Sequence, residues 1–287
     1  MKPIQEGLFH SDQRLNSASQ YRSTSALTLL TNVSITSVYR EPAYRSETVT
    51  QSYLGEKLQV LKTEGDWLRI KLEDGYEGWI PRSAVVEIPP AWEGLQQFYP
   101  ADQIAWIHSA ADKQSTTVRD VTILSGLPLL GRQDGWVQVL LPDGTAGWLE
   151  DRPRVPLTRL DVEELIETAM RFMGIQYLWG GRSPKGFDCS GFVQTCFKLN
   201  GLQLPRDAYQ QAEVGIRVGE DFHNWQPGDL IFFSERPEKI THVAISLGDG
   251  DFIHASGFVK INSLNPENGE LYTPHYSKIF TQTMRVA

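Results

Sequence analysis

At 287 residues the chain is long enough for two or three domains. With 40% hydrophobic and 10% aromatic residues it can bury real cores, which excludes a disordered chain. A formal net charge of −8 and the lack of any Lys/Arg run exclude a nucleic-acid footprint, and no stretch approaches the ~18–20 apolar residues of a membrane span.

Residues 1–30 are polar and rich in Ser, Gln and Thr, and are expected to form a tail or an extended arm. Their most apolar stretch, SALTLLTNVSI, is short, is broken by Thr, Asn and Ser, and has neither a basic flank nor a small-residue cleavage site. The expected location is therefore cytoplasmic, with a periplasmic or cell-envelope site following if a signal has been removed.

An internal repeat follows. GDWLRIKLEDGYEGWI (65–80) and DGWVQVLLPDGTAGWL (134–149) each place two Trp residues around an Asp-Gly pair: Trp67 and Trp79 around Asp74-Gly75, Trp136 and Trp148 around Asp143-Gly144. Asp-Gly between alternating apolar residues predicts a hairpin. Leu68, Ile70 and Leu72 alternate with Arg69, Lys71 and Glu73, as a half-buried strand requires. Two small β-barrels are expected, over 31–90 and 91–153, joined at IPPAW (88–92). The repeat resembles bacterial SH3-like domains.

Pro153 and Pro156 mark the next boundary, opening a segment over 154–287. Thr158 and Asp161 read as a capping box, followed by a helix ending at Gly174. After a Gly-rich loop, Asp188 is placed to cap a helix over about 189–199 whose apolar face is Phe192, Val193, Cys196, Phe197 and Leu199. Cys189 thus stands at a helix N-terminus, where oriented N–H groups favour the nucleophilic thiolate. Cys196 lies in mid-helix, roughly 10 Å from Cys189 and beyond disulfide reach. Two free thiols suit a reducing compartment, and their spacing lacks the further ligands of a zinc site.

PGDLIFF reads as a turn and a buried strand. THVAISLG then opens on His242, and FIHAS returns with His254. A three-residue loop over 248–250 would pair 247 with 251 and 242 with 256, setting the two imidazoles diagonally at roughly 7–8 Å between Cα atoms. One could then take the thiol proton while the other orients it. His10, His108, His223 and His275 have no comparable context.

YLWGGRSPKGFDCSGFVQ, LPRDAYQQ, PGDLIFF, THVAISLGDG and FIHASG occur in that order and resemble the NlpC-type family of papain-like cell-wall peptidases over about 155–287. The resemblance implies an α+β papain-like domain with Cys189 as nucleophile, His242 as base, His254 as third member and Tyr177 beside the oxyanion. It implies a substrate pocket lined by Asp188, Ser190, Arg206 and Asp207. Asp188 could equally be a helix cap, and Arg206 with Asp207 a surface ion pair. The barrels ahead of this segment resemble the branch cutting γ-D-glutamyl-L-diamino acid bonds of murein peptides. There the first SH3-like domain helps require a free substrate amine, with Tyr76 and Glu41 as candidates and Glu47 as the rival of Glu41. Tyr76 has Thr145 in its place in the second copy. The expected enzyme is a monomeric thiol peptidase acting on a murein peptide, with no cofactor, no metal and no nucleic-acid partner. Its competitors are a general wall hydrolase with wall-binding modules, an acyltransferase or amidase on the same fold, and a binding protein with a dead catalytic domain.

Overall fold

The computed structural model describes residues 27–236 and 239–286; most of the expected N-terminal arm lies outside them. The first sheet has seven strands, β1 (Thr28–Thr31), β2 (Ile35–Tyr39), β3 (Thr48–Tyr53), β4 (Lys57–Glu64), β5 (Trp67–Leu72), β6 (Glu77–Pro81) and β7 (Val85–Glu87), in the order β3-β2-β6-β5-β4-β1-β7. β1 pairs with both β4 and β7, so the sheet already begins inside the stretch expected to be an arm.

The next sheet repeats the plan. β8 (Gln97–Phe98), β9 (Ile104–His108), β10 (Thr117–Thr122), β11 (Leu127–Gln133), β12 (Trp136–Leu140) and β13 (Ala146–Glu150) run β10-β9-β13-β12-β11-β8. The register repeats too: Arg69 faces Trp79 in the first copy and Gln138 faces Trp148 in the second. Both Asp-Gly turns form as the sequence predicts. Gly75 and Gly144 take φ of 84° and 82°, and Asp74 and Asp143 each accept the backbone N–H two residues on.

The remaining residues form an α+β unit. Short strands β14 (Arg182–Ser183) and β15 (Gly186–Phe187) lie between helices α1 (Val162–Arg171) and α2 (Cys189–Leu199), and α3 (Ala208–Gln211) follows. A six-stranded sheet is built from β16 (Ile216–Arg217), β17 (Leu230–Phe233), β18 (His242–Gly248), β19 (Asp251–Ser256), β20 (Phe258–Ser263) and β21 (Phe280–Arg285), with α4 (Pro274–Ile279) before the last strand. α1 is capped by Asp161, whose side chain accepts from Glu163 and Glu164 N–H. The expected Thr158 capping box does not form, because the helix starts later than a Thr158 cap would require.

α2 packs on β18 and β19, and every residue of it except Lys198 is buried. A helix on one sheet would leave its polar side in water. Here the first barrel covers part of that side, where Gln194 donates to Asp74 (3.1 Å), while Thr195 donates to the carbonyl of Arg182 in β14 of the same unit (3.0 Å). Arg182, 2% exposed, seals the contact with bonds to Glu56 (2.6 Å) and the Gln51 carbonyl (2.5 Å).

Candidate active site

Asp188 N-caps α2 by accepting the Gly191 N–H at 2.7 Å, which starts the helix at Cys189. Gly191 is required there, since a Cβ would stand 2.1 Å from the carbonyl oxygen of Gly181. Gly180, at φ 75°, lets the same loop approach the first barrel, where a Cβ would lie 2.6 Å from the Thr48 carbonyl oxygen. Two glycines thus bring the helix start, its preceding loop and β3 into one corner.

Cys189 and His242 line a cavity of about 520 Å³ between the α+β unit and the first barrel. The backbone at Val243 and Ser190 favours the charged form of the Cys189 sulfur. Burial and the Asp188 carboxylate outweigh this and push the thiol up to about 12. Burial also drives His242 well below its ordinary value, with His254, Lys260 and His275 adding like charge. The resting pair is therefore a neutral thiol beside a neutral imidazole. The pull of the helix start toward the thiolate is opposed by a carboxylate one residue away and by the loss of water.

The register Ile245↔Ile253 sets His254 diagonal to His242, as the spacing predicts, and His242 Nε2 meets His254 Nδ1 at 2.7 Å. The connecting turn differs. A bulge between Ser246 and Gly248 shifts the last pair to Gly248↔Asp251, leaving a two-residue turn of Asp249 (φ 51°) and Gly250 (φ 87°). Since His242 spends Nε2 on His254, its Nδ1 is left for the thiol. His254 is fully buried and held near 4, mainly by desolvation.

Tyr177, Asp188, Ser190, Asp207, Tyr76 and Glu47 line the same cavity. Burial first, then Cys189 and Asp188, raise the Tyr177 hydroxyl above its ordinary value. Tyr76 Oη reaches both Asp207 oxygens at 3.3 Å, and burial followed by the Asp207 charge pushes it up to about 12. Glu47 accepts from Trp179 Nε1 (3.0 Å) and Arg40 Nε (2.8 Å).

Two expected positions lie off the cavity wall. Glu41 is exposed and does not line the cavity. The loop closes where Arg40 N–H donates to the Glu47 carbonyl (2.9 Å), and it is the Glu47 side chain that reaches Trp179 and the cavity. Arg206 does not line the cavity either, nor is it on the surface. At 2% exposure it lies behind the wall, forked onto Asp188 (3.0 and 2.6 Å) and bonded to Ser190 Oγ (2.9 Å) and Thr50 Oγ1 (2.9 Å). Asp188 is at once cap, ion-pair partner and wall.

Sequence reasoning misses Trp179, Tyr276, His275 and Asn262. Trp179 sits in the YLWGG motif but carries no pattern that marks it as a wall. Tyr276 lies nearly parallel to the His242 ring (6.1 Å, 24°), and His275, 3.8 Å from Glu235, lines the cavity. Among the described residues no cluster of three or more His, Cys, Asp or Glu is arranged to hold a metal, and no helix is long and apolar enough to cross a membrane.

Fold and motifs define a cysteine peptidase. Residues 174–284 match the NlpC/P60 family, and residues 38–85 match the bacterial dipeptidyl-peptidase Sh3 domain. The gamma-D-glutamyl-L-lysine dipeptidyl-peptidase of Bacillus cereus (strain ATCC 10987) is 31% identical over 248 residues, 79% of this chain and 73% of its own. The protein of the same description in Bacillus subtilis (strain 168) is 31% identical over 218 residues, 72% and 71% of the two chains. The crystal structure of an NlpC/P60 family protein from Bacillus cereus ATCC 10987 superposes with a TM-score of 0.78 at 26% identity, covering 90% of this chain and 99% of that one. The chain belongs to the NlpC/P60 family.

Proposed function

We propose that the enzyme hydrolyses the γ-D-glutamyl-L-diamino acid bond of peptidoglycan-derived peptides that begin with a free L-Ala, in cell-wall recycling. The observation that carries this reading is the part of the cavity wall where Tyr76 of the first barrel bonds Asp207 of the α+β unit, with Glu47 on the same cavity. Carboxylates and a phenol oxygen suit an ammonium, which offers several charge-assisted N–H bonds. An acetyl group or a sugar-linked residue would remove the charge and add bulk where the barrel stands. Names of the Bacillus relatives agree with the bond.

In this reading Cys189 Sγ attacks the γ-glutamyl carbonyl carbon while its proton passes to His242 Nδ1. The oxyanion is held by the Cys189 N–H and the Tyr177 hydroxyl. The C–N bond breaks as the leaving amine takes the proton from His242, and a thioester remains. Water, deprotonated by His242, then releases the acyl group and restores the thiol. Residues 31–90 and 91–153 are assigned to two SH3-like domains and 154–287 to the catalytic domain, with β1 adding Thr28–Thr31 to the first; the shared strand order supports the second assignment.

The test is to incubate the enzyme with L-Ala-γ-D-Glu-diaminopimelate, with its L-Lys counterpart and with both N-acetylated, and to identify products by mass. Cleavage at the γ-glutamyl bond of the free peptides alone is expected. Equal rates on free and blocked peptides would show that the barrel does not gate the site and would favour a general wall hydrolase.

A further inference from the structure

The His242–His254 pair continues into a third strand. Register Ile245↔Ile253 sets His254 diagonal to His242, and His254↔Lys260 sets Asn262 diagonal to His254. The three side chains therefore run diagonally across β18, β19 and β20 on one sheet face. His254 Nε2 meets Asn262 Oδ1 at 2.9 Å.

The direction of the bonds is what matters. Thr273 Oγ1 donates to the Leu271 carbonyl at 3.3 Å, so it accepts from Asn262 Nδ2 at 2.8 Å. Asn262 Nδ2 also faces the Leu271 carbonyl at 3.5 Å. The opposite amide orientation would set Oδ1 against that carbonyl, oxygen to oxygen, and is disfavoured. Oδ1 therefore faces His254 as an acceptor and obliges Nε2 to carry the proton. His254 Nδ1 is then an acceptor and holds the proton on His242 Nε2. The lone pair of His242 is thereby assigned to Nδ1, the nitrogen left for the thiol. Thr273 is the N-cap of α4, whose Tyr276 lies over His242, so one element fixes both the direction of the chain and the plane of the last ring.

We propose that Asn262 is a positioning residue that sets the tautomers of both histidines, through a one-way hydrogen-bond chain anchored at the Leu271 carbonyl and Thr273. This rests on the assignment of Cys189 and His242 as nucleophile and base. Without Asn262 the fully buried His254 could carry its proton on either nitrogen. One of those states turns an N–H toward His242, moves the proton of His242 to Nδ1 and removes the base.

The charged and titratable groups around the pair are Cys189 on α2, Lys260 on β20, and His275 and Tyr276 on α4. None of them is altered by replacing Asn262, so a change in pH profile reports on the relay itself.

The experiment compares Asn262→Ala and Asn262→Asp with the wild type, with Cys189→Ala as control, on the free tripeptide. Imidazole tautomers are read by long-range 1H–15N NMR. In the wild type both histidines should be Nε2–H. Asn262→Ala should lower kcat roughly tenfold to a hundredfold, with KM little changed and a mixed tautomer signal at His254. Asn262→Asp keeps the acceptor and should recover most of kcat. Its added negative charge favours the imidazolium, so the acid limb of kcat/KM should move to higher pH. A folded Asn262→Ala enzyme with wild-type kcat and unmixed tautomers would overturn the proposal. Should that variant not fold, an Asp variant with an unmoved acid limb overturns it equally. Activity surviving in folded Cys189→Ala would instead refute the catalytic assignment underneath.

Discussion

Cys189 and His242 line one cavity, and burial favours the neutral form of each, with kinetic consequences for the proposed mechanism. The base is competent wherever it is unprotonated, and burial has lowered the pH at which it charges. The acid limb of kcat/KM should therefore lie below 6.5, the ordinary imidazole value, and activity should be level through neutrality. A limb at or above that value in a pH-rate series would contradict the burial of the pair. Iodoacetamide should label Cys189 slowly at neutral pH and faster as the pH rises, because the thiol is pushed up to about 12. Folded Cys189→Ala and His242→Ala proteins should be inactive, general base catalysis alone being worth about 10²–10⁴-fold. His254→Ala should retain more turnover, since in the proposed mechanism His254 orients the base and carries no proton to substrate. His254 also bears on stability. It is held near 4 in the folded protein against 6.5 unfolded. Between these values the unfolded chain binds a proton that the native protein does not, so stability falls as pH falls, by roughly 3 kcal/mol in all. Chemical denaturation at pH 7 and pH 4 should show a smaller difference in His254→Asn than in the wild type.

At the scale of elements, α2 carries the site and Arg206 carries the start of α2. Its guanidinium forks onto Asp188 with both partners nearly out of solvent, the side chains 1% and 12% exposed. Arg206→Ala would leave the cap carboxylate buried without its cation and should cost about 3–5 kcal/mol in denaturant unfolding. Arg206→Lys should recover little, because an ammonium cannot reproduce the fork together with the bonds to Ser190 and Thr50. Cys196, fully buried in the middle of the same helix, is a packing residue; Cys196→Ala should leave turnover intact at a cost of about 1 kcal/mol. Local pattern made the start of α2 legible: Asp before Cys, apolar residues at helical spacing and Gly201 at φ 86° past the end. The burial of Gln194 was not legible, since its partner Asp74 lies 120 residues away; Thr195 is buried against the carbonyl of Arg182, in a two-residue strand that carries no local pattern. The hairpin between the histidines was legible in pairing and wrong in its loop, because a bulge takes up one residue without changing which residues face each other.

For the whole molecule, the first barrel forms part of the wall of the cavity that holds Cys189 and His242. Arg182 clamps it through Glu56 and Gln51, and Tyr76 and Glu47 reach the cavity from it. Arg182→Ala strips Glu56 of its buried cation and should loosen the barrel. The expected result is a fall in kcat/KM for the free tripeptide with little change for its N-acetylated form, so that discrimination narrows while Cys189 remains titratable by a thiol reagent. Unchanged discrimination in a folded Arg182→Ala protein would mean that the barrel holds its place without the clamp. Tyr76→Phe should raise KM for the free peptide more than it lowers kcat, since Tyr76 is assigned to the substrate amine and not to the reacting carbonyl.

Residue order by itself determined the repeat, the two Asp-Gly turns, the capped helix that begins at Cys189 and the pairing that sets His242 diagonal to His254. Each depends on neighbours within one turn, one helix or one hairpin. Only the tertiary structure put Glu47 rather than Glu41 on the cavity, set Arg206 behind its wall, and buried the Cys189 thiol beside Asp188. It alone joined Asn262 to the histidine pair. Those outcomes turn on the distance between distant segments and on the water that their contact excludes, and neither quantity is written in local spacing.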